Sequence, residues 1–427
     1  MEGTTGLKLG IFEDSKYDNF YPMTLTRPVF ELRSGRTTIM EKIKREVPNS
    51  KPIYFMRKHV AEVFKERIKD GLVNELNALK DDVLIVNGRL LPKIGVLTAE
   101  GDEEVATKDG EIVYVRAKKR TMERMLSETF NETLEKLKGE LSMKEVNLTL
   151  INYPWDLVNM NSESLIEDFK ALGGGIYGDV HPQAVIMGDK ENVHIAKTAR
   201  IYPYTVLNAE NGPIMIDEGA IVYPFSYIEG PSSIGKDCWV VGGKLREGSA
   251  IGPVCRVGGE VEESIIHGYT NKYHTGFLGH SYVGEWVNIG ALTTNSDIKN
   301  DYMSVQVYFK NEFVDTKTQK VGSFIGDHTR FSIGCLLNTG SVIGVACNII
   351  ASGEPTPKYI PSFCWYFRRR FSEGWGFRRT IMTGKVMMAR RKVEMTDARI
   401  RLLRRIYDET KEERKKLIRR SRTKMRL

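Results

Sequence analysis

Between residues 193 and 349 aliphatic side chains return at every sixth position. Ile195, Ile201 and Leu207 open the series, and Ile216, Val222, Ile228, Ile234 and Val240 continue it after a short reset. Ile251 and Val257, then Val283 and Ile289, keep the step; Ile325, Phe331, Leu337, Ile343 and Ile349 close it. Neither the helical period of 3.6 nor the strand period of 2 produces this spacing. A period of six predicts a parallel β-helix, a triangular coil in which each face turns one aliphatic side chain inward. Gly235, Gly252, Gly284, Gly326 and Gly344 directly follow inward positions, where the chain turns a corner. Residues 297–321 are polar and out of period, which predicts a loop leaving the coil.

The first third has a different texture. Residues 7–12, 52–56, 83–86 and 112–115 are short β-rich runs, and helical patterns lie at 60–68 and 122–138. This alternation predicts an α/β domain with a doubly wound, Rossmann-like sheet. Tyr153-Pro154-Trp155-Asp156-Leu157 leads a helical segment to Lys170, and Gly173-Gly174-Gly175 then breaks the chain. The predicted domains are therefore 1–172, 173–360 and a tail, 361–427. In the tail, helices are predicted at 385–391 and from Thr396 to about Arg420, the second with an apolar face of Ile400, Leu403, Ile406 and Tyr407. The run 415–426 is predicted to fray.

Composition narrows the class. The 427 residues are 41% hydrophobic, enough for two or three cores, and 28% charged with 9% aromatic, which excludes global disorder. Five cysteines (Cys238, Cys255, Cys335, Cys347, Cys364) with no C-x-x-C pair fit buried thiols in a reducing cytoplasm. The longest uncharged stretch, 331–353, is rich in glycine, serine and asparagine and follows the sixfold period, so a membrane span is not expected. Nor is a signal peptide, since the chain opens MEGTTGLK. The net charge of +8 is concentrated: residues 362–427 hold 22 Lys and Arg against 7 Asp and Glu, which leaves the remainder acidic.

The densest polar cluster lies at 260–295. It holds His267, His274 and His280 with Lys272, Asn288 and Asn295, and Arg256 stands just upstream. A neutral imidazole suits proton removal from an ammonium or hydroxyl near pH 7.

Here the residues resemble a known family. His274-Thr-Gly-Phe-Leu-Gly279 followed by Val283-Gly-Glu-Trp-Val-Asn-Ile-Gly-Ala291 is similar to the acetyltransferase signature of the bifunctional N-acetylglucosamine-1-phosphate uridyltransferase/glucosamine-1-phosphate acetyltransferase family. The segment Pro22 to Gly35, the run Gly268 to His274 and Met388-Ala389-Arg390-Arg391 match an atypical branch with a divergent N-terminal domain. The resemblance implies a nucleotidyltransferase-like domain followed by a left-handed parallel β-helix and C-terminal helices, assembled as a cytoplasmic homotrimer. It implies acetyl-CoA-dependent N-acetylation of glucosamine-1-phosphate, then uridylyl transfer from UTP to give UDP-N-acetylglucosamine. His274 falls on the general base, and Asn288 and Ala291 on positions lining the substrate and acetyl-CoA pocket. Lys272 and Arg256 would lie at the sugar phosphate, and Asn295 falls close to a second pocket asparagine. Phe277 replaces a substrate-contacting tyrosine, and Gly258 a phosphate-binding arginine.

For the first domain, the same resemblance implies UTP and Mg2+. The usual glycine-rich phosphate loop is absent; Phe12-Glu13-Asp14 follows the first strand instead. Arg27 and Arg33 are the candidate nucleotide-binding cations, Asn87 stands at the strand end where a metal-binding aspartate is usual, and Asp156 is the candidate metal ligand, with helix capping as its alternative. Four other functions stay open. One is the same chemistry on another sugar or nucleotide. One is a zinc hydrolyase built on His267, His274, His280 and His328. One is a scaffold or regulatory subunit. The last is nucleic-acid binding by the basic tail with Trp365, Tyr366, Phe367 and Trp375, although charge runs are more often solvated faces.

Overall fold

The computed structural model describes residues 6–423. The first five residues of the opening read above for a leader, and residues 424–427 of the tail, lie outside the described residues. The chain divides into two compact units. The first comprises 1–20, 27–32 and 37–152, and the second 21–26, 33–36 and 153–427.

The first unit is built on a seven-stranded sheet. Its strands are β1 (Lys8–Phe12), β2 (Lys51–Phe55), β3 (Leu72–Val73), β4 (Val83–Asn87), β5 (Glu104–Lys108), β6 (Glu111–Ala117) and β7 (Met143–Glu145), in the order β3-β2-β1-β4-β6-β5-β7. The four strands β1 to β4 run parallel, and β6 pairs antiparallel with both β4 and β5. Parallel pairing buries both faces, which is why β4 reads as an unbroken apolar run. Helix α1 (Ile39–Glu46) begins in a capping box: Thr38 Oγ1 accepts from the Glu41 amide while Glu41 returns a bond to the Thr38 amide. Helix α2 (Lys58–Lys65) fills the first predicted helical stretch. The second splits into α3 (Lys119–Met125) and α4 (Phe130–Glu140), because Thr129 caps a new helix by accepting from Glu132.

The second unit begins with α5 (Pro154–Asn159) and α6 (Asn161–Leu172), twenty residues before the glycine run taken as the boundary. They pack on the coil rather than on the α/β sheet: Trp155 meets Phe324 at 5.9 Å, and Asn161 Nδ2 donates to Gly248 O at 2.7 Å. The coil is a left-handed parallel β-helix whose faces are sheets of ten, eleven and six strands. Every periodic aliphatic named above belongs to one buried cluster. All five cysteines are free and buried, and burial pushes Cys347 up to about 12. At one corner Asp237, Val254, Tyr269, Trp286, His328 and Ala346 all adopt positive φ. Tyr269 and Ala346 there donate to Pro253 O and Asp327 O, so ladder bonds offset the strain.

Residues 297–321 are not an open loop. Gln306–Phe309 and Glu312–Asp315 form an antiparallel hairpin whose two turn residues, Lys310 and Asn311, both have positive φ. The coil also runs past 360, to Trp365–Phe367, before an antiparallel strand at Arg370–Ser372. Three tail helices follow: α7 (Gly376–Ala389), α8 (Asp397–Glu409) and α9 (Lys411–Thr423), so most of the stretch read as frayed is helical. Several tail arginines lie on the tail's own aromatic rings. Arg404 sits over Phe377 at 3.6 Å, Arg414 over Tyr407 at 4.1 Å and Arg379 over Trp375 at 5.3 Å. Among the described residues no helix is long and apolar enough to cross a membrane.

Candidate functional site

Side chains alternate along a strand, so the residue before each inward aliphatic faces outward. On one face this places Trp239, Arg256, Asn271, Asn288 and Arg330 in register, each one coil above the last. Beside this column is a cavity of about 650 Å³. Its walls include Trp239, Arg256, Asn271, His274, Asn288 and Ala291, with Ile333 and, from the end of α7, Arg390 and Arg391. Four residues singled out in the sequence, His274, Arg256, Asn288 and Ala291, therefore line one cavity.

The polar groups are oriented. Arg256 lies over the Trp239 ring at 4.0 Å, and its Nη1 donates to Asp237 O at 2.8 Å and Cys255 O at 2.9 Å. Asn271 Oδ1 accepts from Arg391 Nη2 at 3.0 Å, while its Nδ2 donates to Asn288 Oδ1 at 3.4 Å. The His274 ring is exposed and meets Tyr273 edge-on at 5.1 Å. Ala291 is fixed in its turn by Gly334, whose amide donates to Ala291 O.

Two sequence assignments are corrected. Lys272 pairs in register with Val257, an inward position, so its side chain enters the coil and is fully buried. Its ammonium donates to Gly276 O at 2.6 Å, Gly258 O at 2.8 Å and His274 O at 3.2 Å. Burial lowers its pKa to about 8. It holds the His274 turn from within and faces no phosphate. Gly259, at φ +67°, completes this cradle: a Cβ there would come within 2.7 Å of Lys272 Nζ. Asn295 is likewise inward, paired with Leu337; its Oδ1 accepts from Gly279 N and its Nδ2 donates to Gly279 O. At Gly258 a Cβ would fall 2.2 Å from Tyr273 O, so no arginine fits there. Phe277 is not in the cavity wall.

The other histidines have separate partners. His267 Nδ1 lies 3.4 Å from Glu285, and His280 Nδ1 lies 2.9 Å from Asp297. His328 stacks on Trp286, and burial lowers its pKa to about 4. No cluster of metal-ligating side chains occurs among the described residues.

In the first unit, β1 is flanked by β2 and β4, the point where the strand order reverses and where α/β sheets take ligands. A cavity of about 650 Å³ lies beyond the ends of β1 and β2, lined by Glu13, Asp14, Arg57, Lys58, Asn74 and Phe130 among others. The residues at the strand ends do not fit a divalent cation. Arg89, fully buried, donates from Nε to both Asp14 oxygens at 3.0 Å, from Nη1 to Ile151 O and Asn152 Oδ1, and from Nη2 to Asp14 and Glu111. Asn87 spends its amide on Asp14 Oδ2 and Ile112 O, and its Oδ1 accepts from the Arg89 backbone. The carboxylates that could face a metal are thus neutralised by a guanidinium. Asp156 caps α5 by accepting from the Tyr153 amide at 3.0 Å, the alternative role its sequence allowed. The two candidate nucleotide-binding arginines fall in different units. Arg27 is fully buried in the first unit. Arg33 belongs to the second, where its Nη1 bonds Arg36 O and its amide donates to the Tyr282 hydroxyl.

Comparison with known proteins now adds a family. Residues 9–175 match the family profile of sugar nucleotidyl transferases. That segment is similar to the sugar nucleotidyltransferases. The matched segment runs through α6 to the glycine run, so the two helices belong to it in sequence although they pack on the coil. A bifunctional sugar-1-phosphate nucleotidylyltransferase/acetyltransferase of Sulfurisphaera tokodaii is 32% identical over 149 residues, covering 32% of this chain and 35% of that one. The bifunctional protein GlmU of Nitratidesulfovibrio vulgaris is 28% identical over 236 residues, covering 50% and 47%. These matches span a third to a half of the relatives' length. A solved UDP-N-acetylglucosamine acyltransferase from Campylobacter jejuni overlaps 56% of this chain at a TM-score of 0.30 and 12% identity, too distant to decide anything, so the coil stands on its own strand pairing.

Proposed function

We propose that this protein activates an amino sugar, N-acetylating glucosamine-1-phosphate with acetyl-CoA in the coil cavity. The convergence of His274, Arg256, Asn288 and Ala291 on one cavity carries the reading. An amine at neutral pH is mostly protonated and cannot attack a thioester. His274, exposed at the cavity wall, takes one proton from the ammonium, the freed lone pair bonds the acetyl carbon, and as the carbon–sulfur bond breaks a second amine proton passes to the sulfur, so that coenzyme A leaves as its thiol. A base so placed contributes roughly 10²–10⁴-fold. Ile289, Ala291 and Ile333 give the acyl end an apolar wall.

The family match of residues 9–175 supports nucleotidyl transfer as the second activity, with the sugar phosphate attacking the α-phosphorus of UTP and pyrophosphate leaving. The cavity at the ends of β1 and β2 is its place. A cytoplasmic homotrimer belongs to the same reading, supported by the likeness to bifunctional relatives.

The test is thiol release from acetyl-CoA with glucosamine-1-phosphate, in wild type and His274→Ala, followed by pyrophosphate release on adding UTP. Thiol release that collapses in the variant supports the reading. A folded wild type that releases none overturns it.

A further inference from the structure

The Met388-Ala389-Arg390-Arg391 motif has so far had no role. Helix α7 ends at Ala389, and the two arginines that follow reach the coil cavity. Among the described residues neither they nor Arg256 forms an ion pair with a carboxylate. Arg391 Nε is buried without a hydrogen-bond partner among the described residues. Asn271 is turned by Arg391 so that its amide nitrogen points at Asn288 Oδ1, which leaves Asn288 Nδ2 as a further donor with no bond among the described residues. The polar wall is therefore made of donors: one guanidinium on the coil face, two more on the tail, and an amide. Burial and the charge of Arg256 both work against the Arg391 cation, so the wall is electrostatically incomplete as it stands.

Such a wall is complementary to a phosphate, which accepts from guanidinium pairs with matching geometry. We propose that Arg391 and Arg256 form a clamp for the phosphate of the acceptor sugar, with Asn288 as its third donor. This rests on the acyl-transfer reading above and deepens it. In an amino sugar phosphorylated at the neighbouring carbon, the anion lies beside the reacting amine. In acetyl-CoA the nearest phosphate lies a whole pantetheine arm away from the thioester. A clamp in the same cavity wall as His274 therefore holds the acceptor, and its grip fixes the amine at the imidazole. The tail is then part of the binding site, and the charge that the resemblance gave to Lys272 comes from Arg391, just beyond α7.

The test is steady-state thiol release by wild type, Arg391→Gln and Arg391→Lys, with glucosamine-1-phosphate and with unphosphorylated glucosamine. The expected result for Arg391→Gln is at least a tenfold rise in KM for glucosamine-1-phosphate, a KM for acetyl-CoA within twofold of wild type, and loss of at least tenfold of the preference for the phosphorylated acceptor. Arg391→Lys, which keeps the charge without the fork, restores part of that preference. An unchanged KM for glucosamine-1-phosphate overturns the clamp. So does a KM change that falls on acetyl-CoA and disappears with dephospho-CoA. Calorimetric binding of glucosamine-1-phosphate separates the two readings: Arg391-dependent binding without thiol release leaves the clamp standing and removes the acyl transfer.

Discussion

The ammonium of Lys272 lies 3.2 Å from the carbonyl oxygen of His274, inside the coil, while the His274 ring faces the cavity outside. One side chain thus fastens the backbone that carries the imidazole. Lys272→Met fills similar volume but takes the ammonium from three carbonyls, of which Gly276 O keeps the Glu260 amide. We expect kcat for acetyl transfer to fall at least tenfold with KM for either substrate within about twofold, since the cavity wall keeps its binding groups. A fall in KM-dependent terms alone would return Lys272 to a substrate-binding role.

The same ammonium has a signature in stability. Burial lowers its pKa from 10.5 to about 8, so between those values the unfolded chain binds the extra proton. The Lys272 contribution to the unfolding free energy therefore rises with pH across this window and is flat below it. The span corresponds to about 3 kcal/mol. Urea unfolding of wild type and Lys272→Met at pH 7 to 10.5 isolates it: the difference between the two should grow in favour of wild type as pH rises. A pH-independent difference would mean that the amine is not desolvated.

His328 gives the opposite end of the scale. Its pKa is lowered by burial from 6.5 to about 4, against the opposing pull of Asp327 and Glu285, and its Nδ1 finds no hydrogen bond among the described residues. Here too the folded state binds the proton less readily, so stability from this group is full above pH 6.5 and is lost as pH falls towards 4. His328→Gln should flatten the decline of Tm over that interval. Parallel curves would place the acid sensitivity elsewhere.

Asn295 holds both the amide and the carbonyl of Gly279. Asn295→Ala takes the side-chain acceptor from the buried Gly279 amide, while Gly279 O keeps its bond from Ser281 Oγ, and should cost about 1 kcal/mol or more by denaturant unfolding. KM for glucosamine-1-phosphate should not change, which distinguishes a strut from a pocket residue.

The coil was legible because one aliphatic side chain per face repeats without regard to what lies outside. The reading failed where a polar residue occupies an inward place. Lys272 stands six after Ile266 and six before Leu278, and Asn295 six after Ile289. Both obey the period, yet hydrophobicity hides them. Had the period been trusted over the chemistry, Asn271 and Trp239 would also have emerged as outward residues beside Arg256 and Asn288. The strand-end network in the first unit has no such local trace. Asp14 and Arg89 are 75 residues apart, and only the pairing of β1 with β4 brings them together. The hairpin at 306–315 was masked by its polar flanks, although Lys310-Asn311 supplies the two residues that a tight reversal needs.

In a stacked coil each turn is held by the turns on either side, so disorder entering at an end must unzip neighbours in sequence before it reaches the middle. The first turn, Gly175 to Met187, is the weak end: Ile176, Tyr177, Val185 and Met187 are substantially exposed. Several turns separate it from the rungs carrying Arg256, His274 and Asn288, and further rungs follow them. Amide hydrogens on those middle rungs should exchange only through opening of much of the stack. Those cavity residues should thus occupy the slowest-breathing part of the coil, and wear at its rim leaves their alignment intact.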